Sequence, residues 1–111
     1  MSLHTKEQQK MHCTSCPIAR AADLVGDSWS LLIIRDLLKH SRRFGDLSLS
    51  LAGISTRTLT KKLQFLEKNG IILREQFSEK PPRVEYSLTK KGRDFKPIIE
   101  SLRKYGEKHR A

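Results

Sequence analysis

The sequence predicts a mainly helical α+β domain, and three observations predict it. Apolar residues recur at helical spacing through most of the chain. Two helical segments are separated by a three-residue turn, Ala52-Gly53-Ile54. After Gly70 the apolar period becomes that of strands, over residues 71–77 and 83–88. Two helices joined across a short Gly-containing turn make a helix-turn-helix, and a hairpin directly after it makes a wing. A winged helix-turn-helix with a two-stranded wing is the expected fold. At 111 residues the chain has room for one such domain.

The opening residues, 1–16, are polar and are expected to be a flexible N-terminal segment, leaving 17–111 as the domain. Pro17 starts a first helix at the position where its missing N–H costs nothing, with Ile18, Ala19, Ala22 and Val25 on the apolar side. A second helix is expected from Ser28, as N-cap, to about His40. Its centre, WSLLIIRDLL, is apolar almost all round, which predicts the most buried element. A short helix over about 45–51 follows Arg43-Phe44 and begins the helix-turn-helix, about 45–69.

The stretch GISTRTLTKKLQFLEKNG carries the fourth helix, about 55–69, with both ends marked. The Ser55 hydroxyl can accept a bond from an orphaned first-turn N–H, and Ile54 with Leu59 has the spacing of a hydrophobic staple. Gly70 can take the left-handed conformation that closes a helix, bringing Ile71 back onto Leu66. Leu59, Leu63 and Leu66 fall within about 60° of arc at the helical repeat and face a core. Arg57, Lys61, Gln64 and Lys68 lie opposite, with Thr60 at the margin and the helix's one acid, Glu67, on the flank. The wing, about 71–88, turns through SEKPP, where Pro81-Pro82 is stiff. Thr89 caps a last helix, about 89–109, with a stripe of Phe95, Ile98, Ile99, Leu102 and Tyr105. Pro97 inside it should bend the helix or leave its first turn separate. A small domain can hide only part of that stripe, so the rest reads as a dimer seam.

Charge narrows the function classes. The chain has 22 basic and 12 acidic residues, a net +10, of which residues 54–88 carry +3 and residues 89–111 carry +5. Such a balance points to nucleic acid first and to an anionic surface second. No run approaches the 18 or so apolar residues of a membrane span, and no signal peptide is visible, so a cytoplasmic protein with no membrane partner is expected. No nucleophile–base pair or Gly-rich phosphate loop is present, the four His are scattered, and neither an enzyme nor a cofactor is expected.

In a winged helix the second helix of the pair enters the major groove, where base edges carry a distinct donor and acceptor pattern. Thr56, Arg57, Thr60, Lys61 and Gln64 are the candidates to face double-stranded DNA, Arg57 reading guanine and Gln64 adenine. Ser55, beside free N–H groups at the helix start, fits a phosphate. Lys80 and Arg83 flank the wing tip and would reach the backbone or minor groove. Arg42 and Arg43 are weaker candidates, and the pair Arg35-Asp36 in the buried helix reads as structural.

Cys13 and Cys16 form a C-x-x-C, HCTSC, with several readings. Zinc needs four ligands, but only His12 and the distant His4, His40 and His109 are available and there is no second C-x-x-C. Disulfide catalysis needs a βαβ context that is lacking. Redox or electrophile sensing is the third reading, because a thiolate on Cys16 is favoured at a helix N-terminus, and an inert pair is the fourth.

The chain resembles the HxlR-type winged helix-turn-helix transcriptional regulators. The resemblance is carried by Cys16-Pro17, WSLLIIRDL from Trp29, RFGDL from Arg43 and the pattern GIS…LT..L..LE..G from Gly53. PPRVEYSLT from Pro81 and the closing Gly92, Pro97 and Gly106 complete it. It departs at Tyr105, where the family usually has Trp. It also departs at Lys62, where the family usually has Arg, so that position keeps a DNA-facing charge without the bidentate fork. The resemblance implies a regulator acting as a homodimer on a short palindromic operator. It implies N- and C-terminal dimerisation helices, with Ile18 joining the C-terminal stripe, and, in some members, oxidant or inducer sensing through the cysteine matching Cys16. Two other readings predict different behaviour: a charge-driven nucleic-acid binder without sequence preference, and a winged-helix protein–protein module.

Overall fold

The computed structural model describes residues 16–110. Its elements run α1 (Pro17–Val25), α2 (Ser28–Lys39), α3 (Phe44–Ser50), α4 (Thr56–Lys68), β1 (Ile72–Phe77), β2 (Arg83–Leu88), α5 (Lys90–Arg93) and α6 (Lys96–Lys108). This is the winged helix-turn-helix expected from the sequence. The strands pair antiparallel, from Ile72 opposite Leu88 to Phe77 opposite Arg83. Of the segment expected to be flexible, only Cys16 falls within the described residues.

One core joins the helices to the base of the wing. Ile33, Ile34 and Leu37 of α2 meet Leu47 of α3, Leu59, Leu63 and Leu66 of α4, and Ile72 and Leu88 of the sheet, all buried. The three leucines of α4 are those the helical repeat put on one stripe. Its end closes as expected: Gly70 has φ 74°, its N–H donates to Glu67 O at 3.0 Å, and the Ile71 N–H reaches Leu66 O at 2.9 Å. That double bond from the last two N–H groups is the Schellman closure. Thr89 ties this corner together. It caps α5 by accepting from the Gly92 N–H, and its hydroxyl is shared between the carbonyls of Gly70 and Ile71. Gly92 packs so closely that a Cβ there would overlap the carbonyl oxygen of Ile71.

Four features differ from the sequence expectation or resolve it. The cap of α2 is Asp27 rather than Ser28, because its carboxylate accepts from both the Ser30 N–H at 2.8 Å and the Ser30 hydroxyl at 2.9 Å. Ile18 and Ala22 lie on the outer side of α1, whose core contacts come from Ala19 and Val25. A single residue, Arg42, adds a third strip to the sheet through two backbone bonds with Tyr86, at 2.9 and 2.8 Å. The C-terminal helix divides at Asp94-Phe95, so the first turn stands apart. Pro97 accounts for this, since it has no N–H to bond Arg93 and its ring would strike that residue's carbonyl in a continuous helix. No described helix is long and apolar enough to cross a membrane.

Candidate nucleic-acid interface

Helix α4 packs against α2 and β1 and is open on its opposite face. Ser55 caps it, accepting from the Thr58 N–H at 3.0 Å and donating its own hydroxyl to Thr58 Oγ1 at 2.9 Å. The Ser55 oxygen therefore orients the first turn before any ligand arrives. No acid lies in that turn, so its free N–H groups keep their positive end unneutralised. With Leu59, Leu63 and Leu66 in the core, the helical repeat turns Arg57, Lys61, Gln64 and Lys68 outward together, and all four are exposed. Ser55 and Thr56 are exposed at the same end, and Thr60 is half-buried.

Lys62 stands apart from this face. Its ammonium pairs with Asp27 Oδ2 at 3.1 Å, linking α4 to the start of α2. Burial pushes the Asp27 carboxyl up, but the Ser30 N–H, the hydrogen bond from Lys62, the Ser30 hydroxyl and the Lys62 charge together outweigh it. The group stays below its ordinary value of 3.8. A contact between Lys62 and a phosphate thus competes with an ion pair inside the protein.

The wing places its two expected cations differently. Lys80 is exposed at the tip and enters no ion pair among the described residues. Arg83 lies 4.2 Å above the Phe77 ring and pairs with Glu79 at 3.1 Å and Glu85 at 3.3 Å. These contacts brace the hairpin stem, so Arg83 serves the wing's shape as well as its charge. The backbone N–H of Arg43 donates to Asp46 at 3.1 Å at the start of α3, and its side chain is exposed. Arg35 pairs with buried Asp36 at 2.8 Å, in keeping with a structural reading.

Arg74 is a candidate that sequence reasoning missed. It stands opposite Tyr86 in the sheet, on the strand face that carries buried Ile72, and so turns toward α4. There it lines a crevice of about 360 Å³ with Thr60, Gln64 and Glu67 of α4. The available signal was the alternation Ile72, Arg74, Gln76, which puts a cation at an inward register.

The residues expected at a dimer seam divide in two. Phe95 and Ile99 are only 7% and 8% exposed and belong to the chain's own core. Ile98, Leu102 and Tyr105 are 43%, 48% and 68% exposed on the outer side of α6, and Ile18 is 80% exposed on α1. Cys16 is a free, exposed thiol immediately before α1, and its side chain makes no capping bond. Cys13, like His12 and His4, lies outside the described residues.

Comparison with known proteins agrees with this architecture. The sequence model for HxlR-like helix-turn-helix proteins matches residues 24–111. A relative from Synechocystis, the HTH-type transcriptional regulator sll1512, is 48% identical over 82% of this chain and 67% of its own. A crystal structure described as a MarR-family transcriptional regulator, from Porphyromonas gingivalis W83, is 38% identical with a TM-score of 0.82. That match covers 86% of this chain and 94% of the other. The oxidised form of a redox regulator, HypR, is 34% identical with a TM-score of 0.83, covering 86% and 99%.

Proposed function

The chain belongs to the HxlR-like helix-turn-helix family of transcriptional regulators, and from that premise we propose that it binds one short palindromic operator as a homodimer. The observation that carries this reading is the acid-free solvent face of α4, Arg57, Lys61, Gln64 and Lys68, set beside a wing whose tip presents Lys80. That face enters the major groove. Arg57 and Gln64 have the donor and acceptor groups to read guanine and adenine edges, with Thr56, Thr60 and Lys61 around them. The first-turn N–H groups that the Ser55 cap leaves free hold a phosphate, Lys80 and Arg83 meet the backbone beside the wing, and Lys62 adds a further cation. The outer stripe Ile98, Leu102 and Tyr105, with Ile18, joins two copies and sets the spacing of the two recognition helices.

Footprinting on a duplex taken from upstream of the gene tests the reading. Two protected half-sites about one helical turn apart are expected. A Arg57→Ala, Lys61→Ala double variant should lose the footprint while keeping its fold. Protection of a single half-site, or a footprint unchanged in the double variant, contradicts it.

Cys16 gives the same protein a second property, a response to oxidants or electrophiles. Support comes from its exposure at the start of α1 and from the likeness to the redox regulator HypR. Diamide takes two electrons and two protons from a pair of thiols as the disulfide forms, joining Cys16 to Cys13 or to a cysteine of the second copy. DNA affinity should fall on diamide treatment and recover with dithiothreitol, and Cys16→Ser should abolish the response. Loss of response in Cys13→Ser but not in Cys16→Ser contradicts the assignment.

A further inference from the structure

Between α2 and α6 runs a groove of about 450 Å³, lined by none of the residues proposed to face DNA. Leu31 and Leu32 form one wall, Ile99 and Leu102 the other, and Arg35 and Arg103 stand at its edge. Beyond the two arginines it continues into a hollow of about 160 Å³ that adds Lys39 and Lys96 against one acid, Glu100. The volume falls in the usual range of small-molecule sites, roughly 300–1,000 Å³. The chemistry has two ends: apolar on one side, and cationic on the other.

We propose that this groove is the inducer site, and that its ligand is an amphipathic organic monoanion, an apolar body bearing one carboxylate. The body lies against Leu31, Leu32, Ile99 and Leu102. The carboxylate lies between Arg35 and Arg103. Arg35 spends Nε and Nη2 on Asp36 Oδ1, which leaves Nη1 for a ligand. Charge argues for a small anion as the occupant: four cations and one acid line the two hollows.

The position of the groove supplies a route to DNA. Ser28 lines it, and the preceding residue, Asp27, both caps α2 and holds Lys62 of α4 at 3.1 Å. The other wall includes Leu102 of the proposed seam. A ligand that changes the seating of α6 on α2 therefore acts on the recognition helix and on the dimer spacing together. This inducer role rests on the regulator reading above.

The chain's one tryptophan, Trp29, lies on α2 and gives an optical probe. The experiment titrates the full chain with octanoate and with neutral octanamide, following Trp29 emission, and repeats both with Arg103→Gln. Octanoate should bind saturably and at least about tenfold tighter than octanamide, as expected when a charge-assisted contact is present. Arg103→Gln should remove that preference without changing octanamide binding, and octanoate should weaken the DNA complex of the wild type alone. Equal affinity for octanoate and octanamide, no saturable response, or an unchanged Arg103→Gln overturns the proposal. Ligand-free wild type measured on operator and scrambled duplexes separates the two readings. Preserved sequence preference without octanoate binding defeats the inducer site alone, whereas octanoate binding without sequence preference defeats the inducer role through the regulator reading.

Discussion

Asp27 caps α2, engages Ser30 twice and holds Lys62 of α4. Because its folded-state pKa is lowered, its contribution is present above the ordinary carboxylate value of 3.8 and is lost as pH falls through the lower folded value. Asp27→Asn keeps a cap acceptor and removes the ion pair, which is half-exposed and worth at most about 1 kcal/mol. Asp27→Ala also removes the cap, for about 1 kcal/mol more. Urea unfolding at neutral pH should rank wild type above Asn above Ala, and the gap between wild type and Asn should shrink as the pH is taken down below 3.8. Gly92→Ala should cost more, about 1–3 kcal/mol, since a methyl group would meet the Ile71 carbonyl. The Ser55 cap was legible in the sequence because a cap is local. The pairing of Lys62 was not, since its partner lies far back along the chain and only packing brings α2 beside α4.

In the proposed complex, helix α4 and the wing carry different parts of recognition. Arg57→Ala should cost about 1–3 kcal/mol of affinity and relax preference at one operator position. Lys80→Ala should weaken binding to all sequences alike and lower the salt slope by about 1. Binding to an operator and its single-base variants across a salt series distinguishes the two effects. An Arg57→Ala loss that is uniform over sequence would move Arg57 to the phosphates. At this scale the sequence was most informative: α4 was marked at both ends by Ser55 and Gly70, and Pro97 announced the break before α6. The Arg42 bridge to Tyr86 was hidden, because a single paired residue has no period. Asp27 and Ser28 are both good caps, and the choice rested on Ser30 offering two donors to a carboxylate.

Over the whole molecule, the proposed dimer must hold two copies of a +10 chain together. The exposed stripe of Ile98, Leu102 and Tyr105 is the apolar surface available on α6. A Ile98→Glu, Leu102→Glu double variant should sediment as a folded monomer and bind operator far more weakly, having lost the second recognition helix. The stripe itself was plain in the sequence, yet its division was not. Whether Phe95 and Ile99 face the core or the solvent depends on how α6 docks on α2, and no local pattern encodes that angle. Arg74 was overlooked for a similar reason, since its meaning comes from the helix lying across its strand. Sequence-specific DNA binding can be read by fluorescence anisotropy. Reduced protein is titrated, at one near-physiological salt concentration, against the duplex upstream of its own gene and a scrambled duplex of the same composition. Preference for the natural sequence of about 10³ or more is the expected result. Equal affinity for the two duplexes would rule out sequence-specific binding.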